Sequence, residues 1–233
     1  MKRTVFLFSI LWMVGLQAHG QTDPCESGYC PNIITVHHVA DDFSPFTVKL
    51  FYNVAEVIIG SDTTCWITRN LGASAIPTSA TDNSYFTRGW YWQFNHKQGY
   101  DVNGTTRTPN TPWISPIFET GPWSRENDPC TRLLGEQWYI PTFAEWTNVS
   151  SGWSTFPDDA FSSGLKLNYA SYLGPGTGTY TGTISGHYWA SSAHANANIS
   201  ISFRLVPGSF DTALFNNASG LAIRCMRPYK WVP

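Results

Sequence analysis

Apolar residues in this chain come in short β-branched runs, and no long stretch repeats them at the 3.6-residue spacing of an amphipathic helix. "NIITVHHV", residues 32–39, clusters its β-branched side chains and predicts a strand. His37 and His38, adjacent on it, face opposite sides and cannot chelate one ion together. "FTVKLFYNVAEVIIG", Phe46 to Gly60, predicts one long strand, or two with a bend near Asn53. "RGWYWQFNHKQGYDVNGTTRTPNTPW" is aromatic, then turn-rich, and predicts an ordered loop held by buried tryptophans rather than a regular element. "GEQWYIPTFAEWTNV" predicts a strand over 137–140 and a helix starting at Pro141 and Thr142, where Thr142 and Glu145 have the spacing of a capping box. "SGLKLNYASYLG" is another short element. "HYWASSA", "NISISFRLV", "TALFNNA" and "GLAIRCMRP" then read as short strands of an antiparallel sheet.

The N-terminus changes the picture from a domain to an exported one. "MKRTVFLFSILWMVGLQAHGQ" has a basic start at Lys2 and Arg3, an apolar run from Val5 to Leu16, and small residues at Ala18 and Gly20. That layout predicts a signal peptide over residues 1–20. The apolar run is too short to span a bilayer, so no membrane insertion is expected once it is cleaved. Removing 20 of 233 residues leaves 213, enough for an N-terminal extension over 21–43 and one main domain over 44–230. Without Lys2 and Arg3, 12 basic residues stand against 16 acidic ones, a net charge of −4. No basic stripe accompanies it, which argues against a nucleic-acid partner.

Export permits disulfides. The cysteines are Cys25, Cys30, Cys65, Cys130 and Cys225, an odd number, so one thiol is free or joined to another chain. Cys25 and Cys30 in "CESGYC" are close enough to close a small loop as a Cys25–Cys30 bond. That spacing lacks the second pair a zinc site needs.

Catalytic signatures are missing: there is no G-x-S-x-G elbow, H-E-x-x-H helix, phosphate-binding loop or dinucleotide fingerprint. Asp158 and Asp159 in "FPDDAF" read as an exposed turn. Asp101, Asn103 and Gly104 lack the downstream glutamate of a calcium loop and read as a polar turn. "GHYWASSAHANANISISF", Gly186 to Phe203, gathers His187, Ser191, Ser192 and His194. The histidines are seven residues apart, and no carboxylate is evident to orient His194 toward the serines. "HYWASSA" therefore reads as a core strand, "HANAN" as a loop, and "ISISF" as the returning strand with Ile199, Ile201 and Phe203 on one face. No metal and no cofactor are expected.

Seven segments in order carry a family resemblance: "CWITRNLGA", "GWYWQFNHKQGY", "GTTRTPNTPWI", "NDPC…GEQWYIPTFAEWTNV", "SGLKLNY", "YWASSA" and "GLAIRCMRP". From Val48 to Pro228 the chain resembles the Fibrobacter succinogenes major paralogous domain family of exported bacterial proteins. The resemblance implies an α+β, C-type lectin-like fold: small twisted antiparallel sheets, one or two helices and long ordered loops. Relatives of that fold include formylglycine-generating enzymes and variable receptor-binding proteins of phage. On this resemblance the Phe46–Ile59 strand pairs with "LAIRCMR", and the "TFAEW" helix packs on the sheet. Trp66, Trp138, Glu145, Trp146 and Trp189 are structural, and Arg69 and Arg224 hold loops through their planar donors. Family members commonly carry cysteines in a "DPC"-like turn and a final "RC" strand, which implies Cys130–Cys225 and leaves Cys65 unpaired, with Cys65–Cys225 the alternative. The chain lacks the E-P-N or Q-P-D and W-N-D motifs of calcium-dependent sugar binding, and the reactive cysteine pair of the formylglycine-generating enzymes.

These readings converge on a noncatalytic binding or structural domain, secreted or on a bacterial cell surface. Its expected partner is an extracellular glycan, envelope component or protein. Aromatic faces stack on sugars and anchor interfaces, so exposed members of Trp90, Tyr91, Trp92, Trp113, Trp123 and Trp153 are ligand-binding candidates. For any one of them, burial in the core is the commoner fate. Asn196, Asn198, Asn216 and Asn217 are the second set, lying where retroelement-diversified proteins vary.

Overall fold

A computed structural model describes residues 30–59 and 62–229. The signal peptide, residues 21–29 of the extension and Cys25 lie outside the described residues. In chain order the elements are β1 (Ile33–His38), β2 (Val48–Ile59), β3 (Asp62–Ile67), α1 (Tyr85–Arg88), β4 (Tyr91–Trp92), β5 (Gly99–Asn103) and β6 (Thr106–Thr108). Then follow α2 (Pro129–Leu134), α3 (Phe143–Ser150), α4 (Asp158–Ser162), β7 (Gly186–Trp189), β8 (Ile199–Val206), β9 (Ser209–Asn216), β10 (Leu221–Ala222) and β11 (Met226–Pro228). This is an α+β architecture built mostly of antiparallel sheet.

One sheet is ordered β1-β2-β3-β11, the other β6-β5-β4-β10-β7-β8-β9. Strand β1 alternates exposed and buried positions, which puts His38 inside and His37 outside, as their adjacency predicts. Strand β2 is continuous through Asn53 but changes partner there. Val48–Asn53 pairs with β1, and Val54–Ile59 pairs with β3. Arg69 pins the changeover by donating to Asn53 Oδ1 at 3.2 Å, while Thr68 N–H donates to its carbonyl at 2.9 Å.

Strand β3 stands between β2 and β11, so the C-terminal segment meets β3 and not β2. The pairing of Phe46–Ile59 with "LAIRCMR" that the lectin-like resemblance implies is therefore not observed. Instead "LAIRCMR" divides: Leu221–Ala222 joins β4 and β7, and Met226–Pro228 pairs with β3. Between them Leu71 N–H donates to Ile223 and Ile67 N–H to Cys225. This short segment thus crosses from one sheet to the other.

Helix α3 forms where its cap predicts. Thr142 Oγ1 accepts from Glu145 N–H at 3.2 Å, and Glu145 accepts from Thr142 N–H at 2.7 Å. The helix turns Trp146 against Trp66, ring centres 5.2 Å apart, and donates its indole N–H to the Trp189 carbonyl. Trp66, Trp138, Trp146 and Trp189 are all buried. Elsewhere the elements are shorter or different than predicted. Residues 137–140 make a single bridge, Tyr139 to Met226, rather than a strand. The aromatic segment is not one loop but holds β4 and the β5–β6 hairpin. "FPDDAF" opens α4, whose Asp159 carboxylate accepts from the N–H groups of Ser154 and Thr155.

Two disulfides close the described chain. Cys130 is bonded to Cys225, as the resemblance implies. The expected Cys25–Cys30 bond is corrected: Cys30 is bonded to Cys65, with Cα atoms 5.4 Å apart. Sequence proximity favoured Cys25, but the sheet brings the chain ahead of β1 against Cys65, fully buried on β3.

Candidate functional site

The turn after β4, the loop between β6 and α2, the loop between β7 and β8, and the turn after β9 are laced into one platform by buried amides. Gln93, which follows β4, donates from Nε2 to the carbonyls of Ile114 at 2.7 Å and Ala218 at 2.9 Å. Asn217 donates from its side chain to Ala197 and from its backbone to Asn198. Glu119 N–H donates to the same Ala197 carbonyl at 2.7 Å, and Trp123 N–H to Ser191 at 2.8 Å. Asn95, in a left-handed conformation at φ 57°, donates to Glu119 Oε2 and accepts from Ser124 N–H. Asn127 donates to the Asn95 carbonyl. Loops tied this way are fixed by the scaffold rather than ordered on demand, which is how binding surfaces are commonly built.

Its outward residues are Ile114, Phe118, Asn196, Asn198 and Asn216. Phe118 is 65% exposed and Ile114 45%, beside three exposed asparagines. The side-chain oxygens of Asn196 and Asn216 close turns by accepting from Asn198 and Ala218 N–H, so their amide nitrogens are the outward donors. Apolar anchors among amide donors make a surface suited to contact.

The predicted residues divide sharply. Asn196, Asn198 and Asn216 lie on the platform, but Asn217 is buried beneath it as a strut. Trp90, Tyr91, Trp92 and Trp123 are buried, which removes them as ligand-stacking faces. They fill the space between loops too long to cover themselves. Trp113 is half-buried and committed to Tyr100, to the Arg107 guanidinium at 4.8 Å and to the Pro175 carbonyl. Trp153 is half-buried against Phe210. Sequence reasoning missed Ile114 and Phe118; their signal was apolar side chains inside the turn-rich "TPWISPIF", with no alternation to place them in a core.

A narrow cleft elsewhere, of about 100 Å³, is walled by Phe46, Tyr85 and Trp90 and lined in part by Asp101. Asp101 accepts from the Tyr85 hydroxyl, and burial raises its pKa. Among the described residues no three His, Cys, Asp or Glu side chains form a group able to hold a metal ion. No helix there is long and apolar enough to cross a membrane.

His187 makes the hydrogen bond that its place in "GHYWASSAH" did not reveal, to Ser185 Oγ at 2.9 Å. Ser185 continues through Thr183 and Ser171 to Thr181. The ring itself packs edge-on against Tyr172 and against Phe215, with no carboxylate bonded to it. Burial, then the nearby Arg204, lowers its pKa from 6.5 to about 4. In the unfolded chain the imidazole takes its proton near 6.5, while the folded protein resists until about 4. Between those values the unfolded state binds more protons, so its share of stability is present above 6.5 and lost as the pH falls to about 4. The loss reaches at most about 3 kcal/mol. Asp128, pushed up to about 6 by burial, works the other way, and His38 works in the same direction as His187. Denaturant unfolding of wild type and His187→Gln at pH 7.5 and 4.5 isolates the contribution of His187; identical pH dependence in both proteins contradicts it.

No family model matches the chain, and no curated protein or solved structure matches it.

Proposed function

We propose that this chain is an exported bacterial binding domain, noncatalytic, of C-type lectin-like fold and akin to the Fibrobacter succinogenes major paralogous domains. Its contact surface is the loop platform of Ile114, Phe118, Asn196, Asn198 and Asn216. The observation that carries the reading is the conjunction of exposed apolar side chains with a substructure of buried amides holding their loops in place. Two disulfides and the signal-like N-terminus support export to the cell surface or medium.

Between the two ligand classes, the platform favours protein. Sugar recognition relies on open aromatic faces, and the tryptophans that would supply them are buried or already stacked. Phenylalanine and isoleucine flanked by amide donors match the apolar centre and polar rim of a protein contact. The test immobilises the mature chain and passes over it a cell-envelope extract, with and without protease treatment of the extract, beside a glycan array. Protease-sensitive retention is expected, reduced about tenfold or more in Ile114→Ser/Phe118→Ser, the loss of one hot-spot anchor. Protease-resistant retention, or glycan binding above a denatured control, sinks the protein reading.

A second reading rests on the grouping of Asn196, Asn198 and Asn216 on one exposed surface. We propose it as the alternative: a variable receptor-binding protein diversified by a retroelement. Variation would then spare Asn217, a strut with no freedom to change. A reverse-transcriptase gene and template repeat beside this gene decide the matter.

A further inference from the structure

Strand β9 ends the larger sheet, and among the described residues no strand pairs with its outer side. The direction of its backbone groups follows from the turn before it. Val206 pairs with Ser209 across Pro207 and Gly208, and a two-residue hairpin closes on a hydrogen-bonded pair. Alternation along the ladder then assigns Asp211, Ala213 and Phe215 to β8. The N–H and C=O groups of Phe210, Thr212 and Leu214 face away from it. Strand β7 provides an independent check. Ala190 N–H donates to the Ile201 carbonyl at 3.1 Å, so odd-numbered residues of β8 serve β7 and even-numbered ones serve β9.

This edge carries few of the usual guards against pairing. It has no lysine and no proline, and its register with β8 runs without a bulge from Ser209 to Asn216. Its single charge, Asp211, is held at two points by Arg204, at 3.0 and 2.9 Å. Leu214 is half-exposed beside it.

We infer that β9 pairs antiparallel with β9 of a second copy, joining the two sheets about a two-fold axis. The outward groups require even-numbered residues to oppose even-numbered ones. An axis at Ala213 sets Thr212 against the partner's Leu214, which bond through both backbone groups. It also sets the Phe210 carbonyl against the partner's Asn216 N–H, the Asn216 carbonyl already accepting from Ser219 N–H at 2.8 Å within its own copy. Ala213 meets the partner's Ala213 at the closely spaced, non-hydrogen-bonded position, where a small side chain fits best. Asp211 faces the partner's Phe215, and the two aspartates stand about 13 Å apart along the strands, beyond the screening length of physiological salt. No like charges oppose each other. Asn216 lies three residues from the axis, so the two platforms sit about 20 Å apart and engage a multivalent surface together.

Thr212→Pro tests the pairing, because it removes an outward donor that bonds nothing among the described residues of one copy, a position where an edge strand tolerates proline. Sedimentation equilibrium of the mature chain should give a concentration-dependent dimer, weakened about tenfold or more in Thr212→Pro. Amide exchange at Thr212 and Leu214 of the wild type should slow as the dimer forms, a readout that stands even if the variant folds poorly. A wild type that stays monomeric overturns the inference, as does a dimer undiminished in folded Thr212→Pro. So does exchange equally slow in the monomer, which would mean that the chain's own residues cover the edge.

Discussion

A chain carrying Cys130→Ala and Cys225→Ala unfolds about 4 to 5 kcal/mol more easily than the wild type. The bond spans 95 residues, and closing a loop of that length restricts the unfolded chain by roughly 4.7 kcal/mol in the entropy model. Cys30–Cys65 spans 35 residues and restricts it by about 3.8 kcal/mol, so the longer bond matters more. The folded side adds to the expectation. Both cysteines are fully buried in the main hydrophobic core, so truncation to alanine leaves space that the neighbouring side chains fill only in part. Cys130 is also held in place: Asp128 accepts from its N–H at 2.8 Å while the other carboxylate oxygen accepts from Ile140 N–H. A domain of this size has about 5 to 15 kcal/mol in total. Guanidinium unfolding of both proteins measures the difference; a loss below about 1.5 kcal/mol contradicts the loop argument.

Arg224→Ala comes second, with an expected loss of about 3 to 5 kcal/mol. Arg224 is fully buried, and among the described residues no carboxylate pairs with it. Its guanidinium donates to the Ile67 carbonyl at 3.2 Å, to Asn70 Oδ1 at 2.8 Å and to the Lys166 carbonyl at 3.4 Å, and lies 5.9 Å from the centre of the Tyr188 ring. Burial lowers its pKa to about 10, so it remains charged at neutral pH. Alanine strands three acceptors at the point where the C-terminal segment passes between the sheets. Arg224→Lys keeps the charge but offers one nitrogen for three separated targets, and recovers only part of the loss. Full recovery by lysine would show that charge rather than planar, multi-donor geometry is what the site uses.

How much of this was legible depends on how local the cause is. The capping box of Thr142 and Glu145 lies within four residues, and the helix appears where it predicts. Strand β1 announces itself by clustered β-branched residues, and its burial alternates as a strand's must, although Ile33 and His38 fall on the sides their polarity would not choose. Strand β4 has two residues, both buried, so it leaves no alternation to detect. The partner change at Asn53 was legible only in its place. The sequence offers a bend there, and burial switches from even-numbered positions before it to odd-numbered ones after it, but nothing local names the new hydrogen-bonding neighbour. Tryptophan burial was the least legible. Trp90 and Trp153 sit in similar aromatic, turn-rich sequence, yet one is 2% exposed and the other half-buried, because the covering loops come from distant parts of the chain. The same holds for Cys65, whose partner is set by the sheet rather than by the nearest cysteine.

The Cys30–Cys65 bond also determines how the domain carries tension. A pull between residues 30 and 229 does not travel along β1 and β2, because the disulfide passes it from residue 30 straight into β3. Cys65 lies opposite Arg227 in the β3–β11 pairing, so the load crosses to the C-terminal side within that ladder of Trp66–Met226, Cys65–Arg227 and Thr64–Pro228. If β11 peels away, the next element in line is Cys225, already tethered to Cys130. The larger sheet and its loop platform stand outside this short force path. Tension applied between residues 30 and 229 therefore separates β11 first, while the loop platform keeps its shape.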